Sequence, residues 1–277
     1  MSENSIRPLL KLNKALIMGV VNTTPDSFSD GRRFSDVGLA VEHALNLVED
    51  GADILDIGGE STRPGAATVE LGEELDRVIP VIEALTKATD TPISIDTYKP
   101  SVMSAAIEAG ASMVNDIKGL QEKGAIDVVA QANVPVCLMH MRGEPETMQL
   151  EPSYDDVAGE LMAFFRQRLT AIASAGISTN DVIIVPGIGF GKTLAHNLKL
   201  LNSVTQMRAS LGCEVLIGVS RKSLIDQLLG RPIEQRLSAS LGLAVQAVLN
   251  GAKVIRVHDV AETHDAVRAV EAVRDCS

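Results

Sequence analysis

The 277-residue chain has no tryptophan, and aromatic residues make up only 3% of it. That scarcity argues against the stacking platforms that bind single-stranded nucleic acid. Positive charge is also short: 25 Lys and Arg stand against 36 Asp and Glu, a net charge of −11. Such a surface is unsuited to general binding of a nucleic-acid backbone. No apolar stretch is long enough to span a bilayer and no secretory pattern opens the chain, so neither membrane nor export is expected. Cysteine is limited to Cys137, Cys213 and Cys276, at no metal or redox spacing. Cys137 lies in an apolar run and reads as a small buried hydrophobe. A reducing cytoplasm is the expected location.

What is present is apolar mass, 45% of residues against 22% charged, enough for a large core and unlike a disordered chain. Eight short apolar runs each end in a polar or special residue, and a helix-like stretch follows each. The runs are 16–21 into Asn22, 54–57 into Glu60, 93–95 into Asp96, 113–114 into Asn115, 136–139 into His140, 182–185 into Gly187, 215–219 into Lys222, and 254–255 into Arg256 and His258. Short β-branched runs of this kind read as strands buried on both faces, the habit of parallel sheets. Eight strand–helix units in this length predict the α/β class and a single (β/α)8 TIM barrel over 1–277. The strand ends of such a barrel face one way, so the polar residues there converge on one pocket. Arg63, Arg221, Lys222, Arg256 and His258 collect cations at these ends of an acidic chain, which suits an anionic ligand.

Turn residues set the expected boundaries. Residues 1–14 read as an irregular lead-in placed to close the barrel floor. The strands fall at about 15–22, 53–57, 93–96, 112–116, 135–140, 182–185, 214–219 and 253–257. The helices fall at about 36–50, 71–88, 100–109, 124–132, 153–175, 195–210 and 261–274, with 221–250 holding a short and a longer helix split near Gly230 and Pro232. Pro100 suits a first helical turn, and Gly51 and Gly110 suit helix ends. Two loops are longer than a barrel needs, 22–31 after strand 1 and 58–65 after strand 2. Both mix Gly and Pro with hydroxyls and charges, the composition of mobile substrate loops.

These two loops, with Asp96-Thr-Tyr-Lys99, Asn115-Asp-Ile117, Leu138-Met-His-Met141, Pro186-Gly-Ile-Gly-Phe-Gly-Lys192, Ser220-Arg-Lys-Ser223 and Ile255-Arg-Val-His258, closely resemble the dihydropteroate synthase family. The resemblance spans nearly the whole chain, in order and in spacing. It implies a (β/α)8 barrel, in agreement with the strand count. It also implies a transferase of folate biosynthesis that condenses 6-hydroxymethyl-7,8-dihydropterin diphosphate with p-aminobenzoate, giving 7,8-dihydropteroate and pyrophosphate.

A flat pterin needs carboxylate and carboxamide groups along its polar edge and a cation near its carbonyl. Asp96, Asn115 and Lys222 can supply them, and the resemblance implies that they do; the alternatives are that Asp96 caps the third barrel helix and that Asn115 orients a loop. Arg256 and His258 share one side of the last strand by period-two geometry and suit a pyrophosphate. Alternatively, Arg256 pairs with a neighbouring Asp. The family pattern adds Thr62 and Arg63 to the pyrophosphate site, and Asn22 as both a pyrophosphate contact and a Mg2+ ligand. For p-aminobenzoate it implies Phe28, Thr62, Arg63, Pro64, Phe190, Lys222 and Ser223. It further implies inhibition by sulfonamides and a homodimer joined through late helices. Catalysis would then rest on Asn22, Asp96, Lys222, Arg256 and His258 through positioning and electrostatics, with no covalent nucleophile. The segment 187–192 lacks Walker spacing and reads as a loop leaving strand 6. His140 caps strand 5, lines the pocket or is a structural histidine, and Lys99 and Asp116 read as structural or supporting residues.

The pattern breaks at one pterin-contacting position. The family has Asp immediately before the Pro-Gly of strand 6, where this chain has Val185. Valine cannot accept the ring's N–H bonds, a loss of roughly 1–3 kcal/mol. Either a nearby change compensates or the position has been altered. Tyr98, where the family has a small residue, is expected to narrow the mouth. Two other readings compete with the synthase: a methyltetrahydrofolate-dependent methyltransferase on the same barrel plan, and a pterin-binding protein without catalysis.

Overall fold

The structure, a computed structural model, describes residues 5–23, 33–61 and 65–276. Phe28, Thr62, Arg63 and Pro64 lie outside the described residues. In chain order the elements are α1 (Arg7–Leu10), β1 (Leu16–Asn22), α2 (Arg33–Glu49), β2 (Ile54–Gly58), α3 (Leu71–Ala88), β3 (Ile93–Asp96), α4 (Pro100–Glu108), β4 (Met113–Asp116), α5 (Ala125–Ala132), β5 (Val136–Met139), α6 (Val157–Ser174), β6 (Val182–Val185), α7 (Leu194–Asn202), α8 (Val204–Leu211), β7 (Glu214–Ile217), α9 (Ser223–Leu229), α10 (Leu237–Leu249), β8 (Val254–Val257) and α11 (Val260–Asp275).

The eight strands close in sequence order, all parallel, with β8 beside β1. This is the (β/α)8 barrel expected from the eight runs. Alternation along each strand divides the core. Leu55, Ile57, Ile95, Val114, Leu138, Ile184 and Ile217 face outward and pack with the helices. Leu16, Met18, Ile54, Met113, Cys137, Ile183 and Val254 fill the lumen. Helix α3 shows how one stripe joins the outer layer: Val78, Val81, Ile82 and Leu85 are buried at helical spacing. Its Pro80 sits on the exposed side without dividing the helix.

Several boundaries differ from expectation. The lead-in holds a helical turn, α1. Ile6 beside it is fully buried, and Leu9 and Leu10 pack against the luminal cluster. The Arg7 guanidinium ties this floor to Asp181 and to the carbonyl of Asn133. The expected helix over 195–210 is two helices meeting at Ser203. There the Asn250 carboxamide donates to the Leu201 carbonyl at 2.9 Å, taking an acceptor that helical bonding would use. Helix α6 starts at Val157 rather than 153, because Glu160 turns back to accept from the backbone N–H groups of Asp155 and Asp156. Strand β7 ends at Ile217, and 218–222 is a loop over the barrel mouth. No helix among the described residues is long and apolar enough to cross a membrane.

Candidate active site

Inward positions near the carboxyl ends of β2, β3, β4 and β8 carry Asp56, Asp96, Asn115 and Arg256. Register sets them side by side: Gly58 is level with Asp96, and Asp96 with Asn115. Their side chains join in one network. Arg256 Nε donates to Asp56 Oδ2 at 2.6 Å, and Arg256 Nη2 donates to Asp96 Oδ2 at 2.7 Å. Asn115 Nδ2 donates to Asp56 Oδ2 at 3.0 Å. The second carboxylate oxygens, Asp56 Oδ1 and Asp96 Oδ1, are buried with no partner. A buried acceptor without a donor is costly unless a ligand or water supplies one.

Burial pushes the Asp96 carboxyl up to about 7; the Arg256 charge opposes this, and Asp56 adds to it. Burial opposes the charge on Arg256, but Asp56 and Asp96 outweigh it and raise its pKa. Of the two sequence readings of Arg256, the pairing with aspartates is the one observed, and the pair sits inside the barrel mouth.

Lys222 stands next to this network. Gly218 adjoins both cations: a Cβ there would be in ordinary contact with Arg256 Cβ at 3.7 Å and Lys222 Nζ at 3.9 Å. The ammonium donates to the Ile188 carbonyl at 2.5 Å and lies 4.7 Å from the centre of the Phe190 ring. Burial lowers its pKa to about 7, Arg256 adds to the shift, and Asp96 resists it. Val185 ends β6 on the luminal side, 7% exposed, in an apolar cluster with Cys137, Met139 and Phe190. The mouth thus has an acid and amide wall, an apolar wall and two cations. That combination suits a flat heteroaromatic with an anionic tail.

The remaining expected residues take varied places. Asn22 ends β1 at the rim, level with Gly58 of β2. His258 follows β8 and approaches Ser220 Oγ through Nδ1 at 3.0 Å. Ser223 opens α9 and is exposed. Tyr98 packs against the luminal cluster at the rim and donates to Glu60 at 3.2 Å. Arg221 is exposed and paired with Asp259.

Glu60, expected to point into the pocket, instead accepts from Lys99 and Tyr98. Asp56 takes its place as the pocket acid of β2, and strand-end reasoning missed it. The available signal was a lone carboxylate at a luminal position inside an apolar run. His140 is 7% exposed and stacks edge-on with Phe164 at 4.9 Å. Burial holds its pKa down at about 3, so the neutral ring meets Lys192 Nζ at 3.2 Å. Lys192 also donates to the Phe190 carbonyl at 2.8 Å. The glycine-rich loop is therefore packed structure: a Cβ on Gly187 would lie 2.1 Å from the His140 carbonyl oxygen.

Among the described residues no three His, Cys, Asp or Glu side chains are grouped to hold a metal. The donors at the mouth fit Mg2+ only in its shared mode, with one protein oxygen such as that of Asn22 and the rest from water and ligand phosphate. A separate groove of about 890 Å3 lies at the amino ends of the strands, between Arg7, Asp181, Arg208 and Glu214. Its two arginines are paired, Arg7 with Asp181 and Arg208 with Glu214, and it lacks the acid and amide wall of the mouth.

Residues 18–258 match the sequence model of the family described as pterin binding enzyme. The chain is 48% identical to the dihydropteroate synthase of Escherichia coli strain K12 over 95% of its own length and 93% of that protein. The fold superposes with a TM-score of 0.89 on the Xanthomonas albilineans dihydropteroate synthase solved with 4-aminobenzoic acid, at 49% identity over 95% of this chain and 94% of that one. The Yersinia pestis dihydropteroate synthase solved in a sulfonamide drug complex gives a TM-score of 0.89 at 46% identity, with 95% of each chain covered. The barrel, the charged network at its mouth and these likenesses agree: the chain belongs to the pterin-binding enzymes, and among them to the dihydropteroate synthase family.

Proposed function

We propose that the barrel mouth joins 6-hydroxymethyl-7,8-dihydropterin diphosphate to p-aminobenzoate, releasing pyrophosphate and forming 7,8-dihydropteroate. The observation that carries this reading is the unpartnered Asp96 Oδ1, buried beside Asn115 and Arg256. It is an acceptor waiting for an N–H edge, on the wall facing the apolar side of the pocket. The pterin ring would lie with a face against Met139 and its N–H edge toward Asp96, Asn115 and position 185. Lys222 would donate to the ring carbonyl.

The diphosphate would extend toward Arg256 and His258. Arg256 Nη1 carries no bond to a described residue and can donate to a phosphate oxygen. Asn22 would hold Mg2+ jointly with the diphosphate, and the ion would neutralise charge on the leaving group. The carbon–oxygen bond breaks with its electron pair leaving on pyrophosphate. The resulting cation is delocalised over the pterin while Asp96 holds its edge. The aniline nitrogen then bonds to the exocyclic carbon and loses a proton. Nothing in this sequence needs a covalent enzyme intermediate; the residues position the partners and balance charge.

Phe190 and Ser223 would line the p-aminobenzoate slot together with Phe28, Thr62, Arg63 and Pro64. The Xanthomonas relative was solved with this aniline acid, and a sulfonamide occupies the Yersinia complex. Sulfonamides should accordingly inhibit this chain in competition with p-aminobenzoate. A homodimer belongs to the same proposal. Leu228, Leu229, Ile233, Leu237 and Leu249 are exposed on or between α9 and α10, where a second copy could cover them. A cytoplasmic setting agrees with three free cysteines.

The test is pyrophosphate release with both substrates and Mg2+, alongside calorimetry with the pterin diphosphate. Turnover that requires both substrates and is blocked by a sulfonamide is expected. Pterin binding without pyrophosphate release would reject the reading in favour of a non-catalytic binder.

A further inference from the structure

At the mouth end of the barrel, outside the pterin wall, Lys99 stands at the entrance to α4 with a 17% exposed side chain between Glu60 and Glu74, which are 7% and 1% exposed. Its ammonium has three N–H donors. They reach Glu60 Oε2 at 2.6 Å, Glu74 Oε2 at 2.5 Å and the Val69 carbonyl at 2.5 Å. All three donors are used, so Lys99 has none left for a substrate. Its partners share one property. Glu60 lies on the limb of the β2 loop leaving the strand, Val69 on the limb returning to α3, and Glu74 in the first turn of α3.

The same stem is fastened at other points. Glu60 Oε2 also accepts from Val69 N–H at 3.2 Å, linking the two limbs directly. Its other oxygen accepts from Tyr98 at 3.2 Å. Arg77 donates to the Gly59 carbonyl at 2.7 Å. Glu74 Oε1 accepts from Thr97 at 2.6 Å, connecting the acid pair back to the end of β3. A Cβ on Gly59 would lie 2.8 Å from Val78 Cγ1, so the limb is pressed against α3.

We infer that Lys99 is a positioning residue that clamps both limbs of the β2 loop to α3 and β3, fixing the stem from which that loop serves the second substrate. The inference rests on the proposed reading only in naming p-aminobenzoate as that substrate. No clamp side chain bonds to the side chain of Asp96, Asn115 or Lys222; the one direct link is backbone, from Thr97 N–H to the Asn115 carbonyl at 3.1 Å. Loosening it should therefore weaken use of the aniline while leaving the pterin wall intact.

Three variants test this. Lys99→Met removes the charge and retains length, Lys99→Arg keeps a donor for both carboxylates, and Glu60→Gln removes the charge that holds Lys99 to the stem, weakening that link, while the Glu74–Lys99 pair survives. Glu60→Gln decides the matter if Lys99→Met fails to fold. In Lys99→Met and Glu60→Gln, KM for p-aminobenzoate is expected to rise about tenfold or more, because small misplacements of positioning groups are costly. Calorimetric affinity for 6-hydroxymethylpterin should stay within about twofold of the parent, as expected of separate sites. Lys99→Arg should recover most of the lost KM. Amide exchange at 59–61 and 65–70 should quicken in Lys99→Met and Glu60→Gln. An unchanged exchange rate in folded Glu60→Gln overturns the clamp, whatever the turnover. Equal losses in pterin and aniline binding also overturn it, since a general structural defect would produce them. A parent protein that never condenses the two substrates defeats the proposed function instead, and the exchange experiment still reads the clamp.

Discussion

Arg256 donates to Asp96 through a single carboxylate oxygen, Oδ2 at 2.7 Å, and leaves Asp96 Oδ1 buried without a partner. The guanidinium thus fixes the direction in which the free oxygen points. It also limits how far burial can suppress the carboxylate charge. Asn115 and Asp56 extend the same network, so the acceptor proposed for a pterin edge is held from behind by residues of three strands.

Asp96→Asn should keep the fold and lose the charged acceptor. Affinity for the pterin diphosphate is expected to fall by about 2–3 kcal/mol, or roughly 30–150-fold. Calorimetry measures it, with circular dichroism confirming the fold. A change below about threefold would show that Asp96 does not meet the ring.

Val185→Asp should act in the opposite sense. The side chain is luminal, in the cluster that includes Phe190, over whose ring the Lys222 ammonium sits. A carboxylate there would accept ring N–H bonds and offer Lys222 a counter-charge. Pterin affinity should rise by roughly 5–150-fold, matching the roughly 1–3 kcal/mol of a restored acceptor. An unchanged affinity would show that position 185 does not face the ligand.

The pH dependence follows from two opposed shifts. Asp96 is raised from 3.8 to about 7, so its contribution to stability is complete below 3.8 and is lost as pH rises through about 7. Lys222 is lowered from 10.5 to about 7, so its contribution is present above 10.5 and is lost as pH falls through about 7. Pterin binding as proposed needs the reverse forms, an Asp96 carboxylate and a Lys222 ammonium. Affinity should therefore peak near pH 7 and decline on both sides, with apparent constants that belong to the pair. Val185→Asp should move the alkaline limb upward by stabilising the ammonium. Calorimetry across pH reads the profile, and a flat one would contradict the assignment.

The barrel floor offers a stability test remote from the site. Ile6 is fully buried among Leu16, Met18, Ile54 and Val254. Ile6→Ala should cost about 2–5 kcal/mol with little effect on KM. Urea unfolding and steady-state kinetics check the two halves. Loss of activity in a folded variant would tie the floor to the mouth.

Most of the fold was legible because a parallel barrel writes its strands as short apolar runs with polar ends. Helix α1 was not, since four residues are too few to display a helical period. The break at Ser203 depends on Asn250, 49 residues from the Leu201 carbonyl it binds, and no local pattern announces it. Asp96, Asn115 and Arg256 were found as strand ends, and the network joins them. Asp56 was missed because it lies inside a run rather than at its end. The destination of Glu60 was misread because its partner Lys99 is 39 residues away. Strand alternation shows which way a residue points, but not which distant charge it meets.

The most direct test is a crystal structure of this chain with 6-hydroxymethylpterin. The ring's N–H edge should lie within about 3.2 Å of Asp96 Oδ1, with Asn115 beside it and Lys222 at the carbonyl. A pterin bound away from Asp96, or seated in the groove between Arg7 and Arg208, would contradict the account.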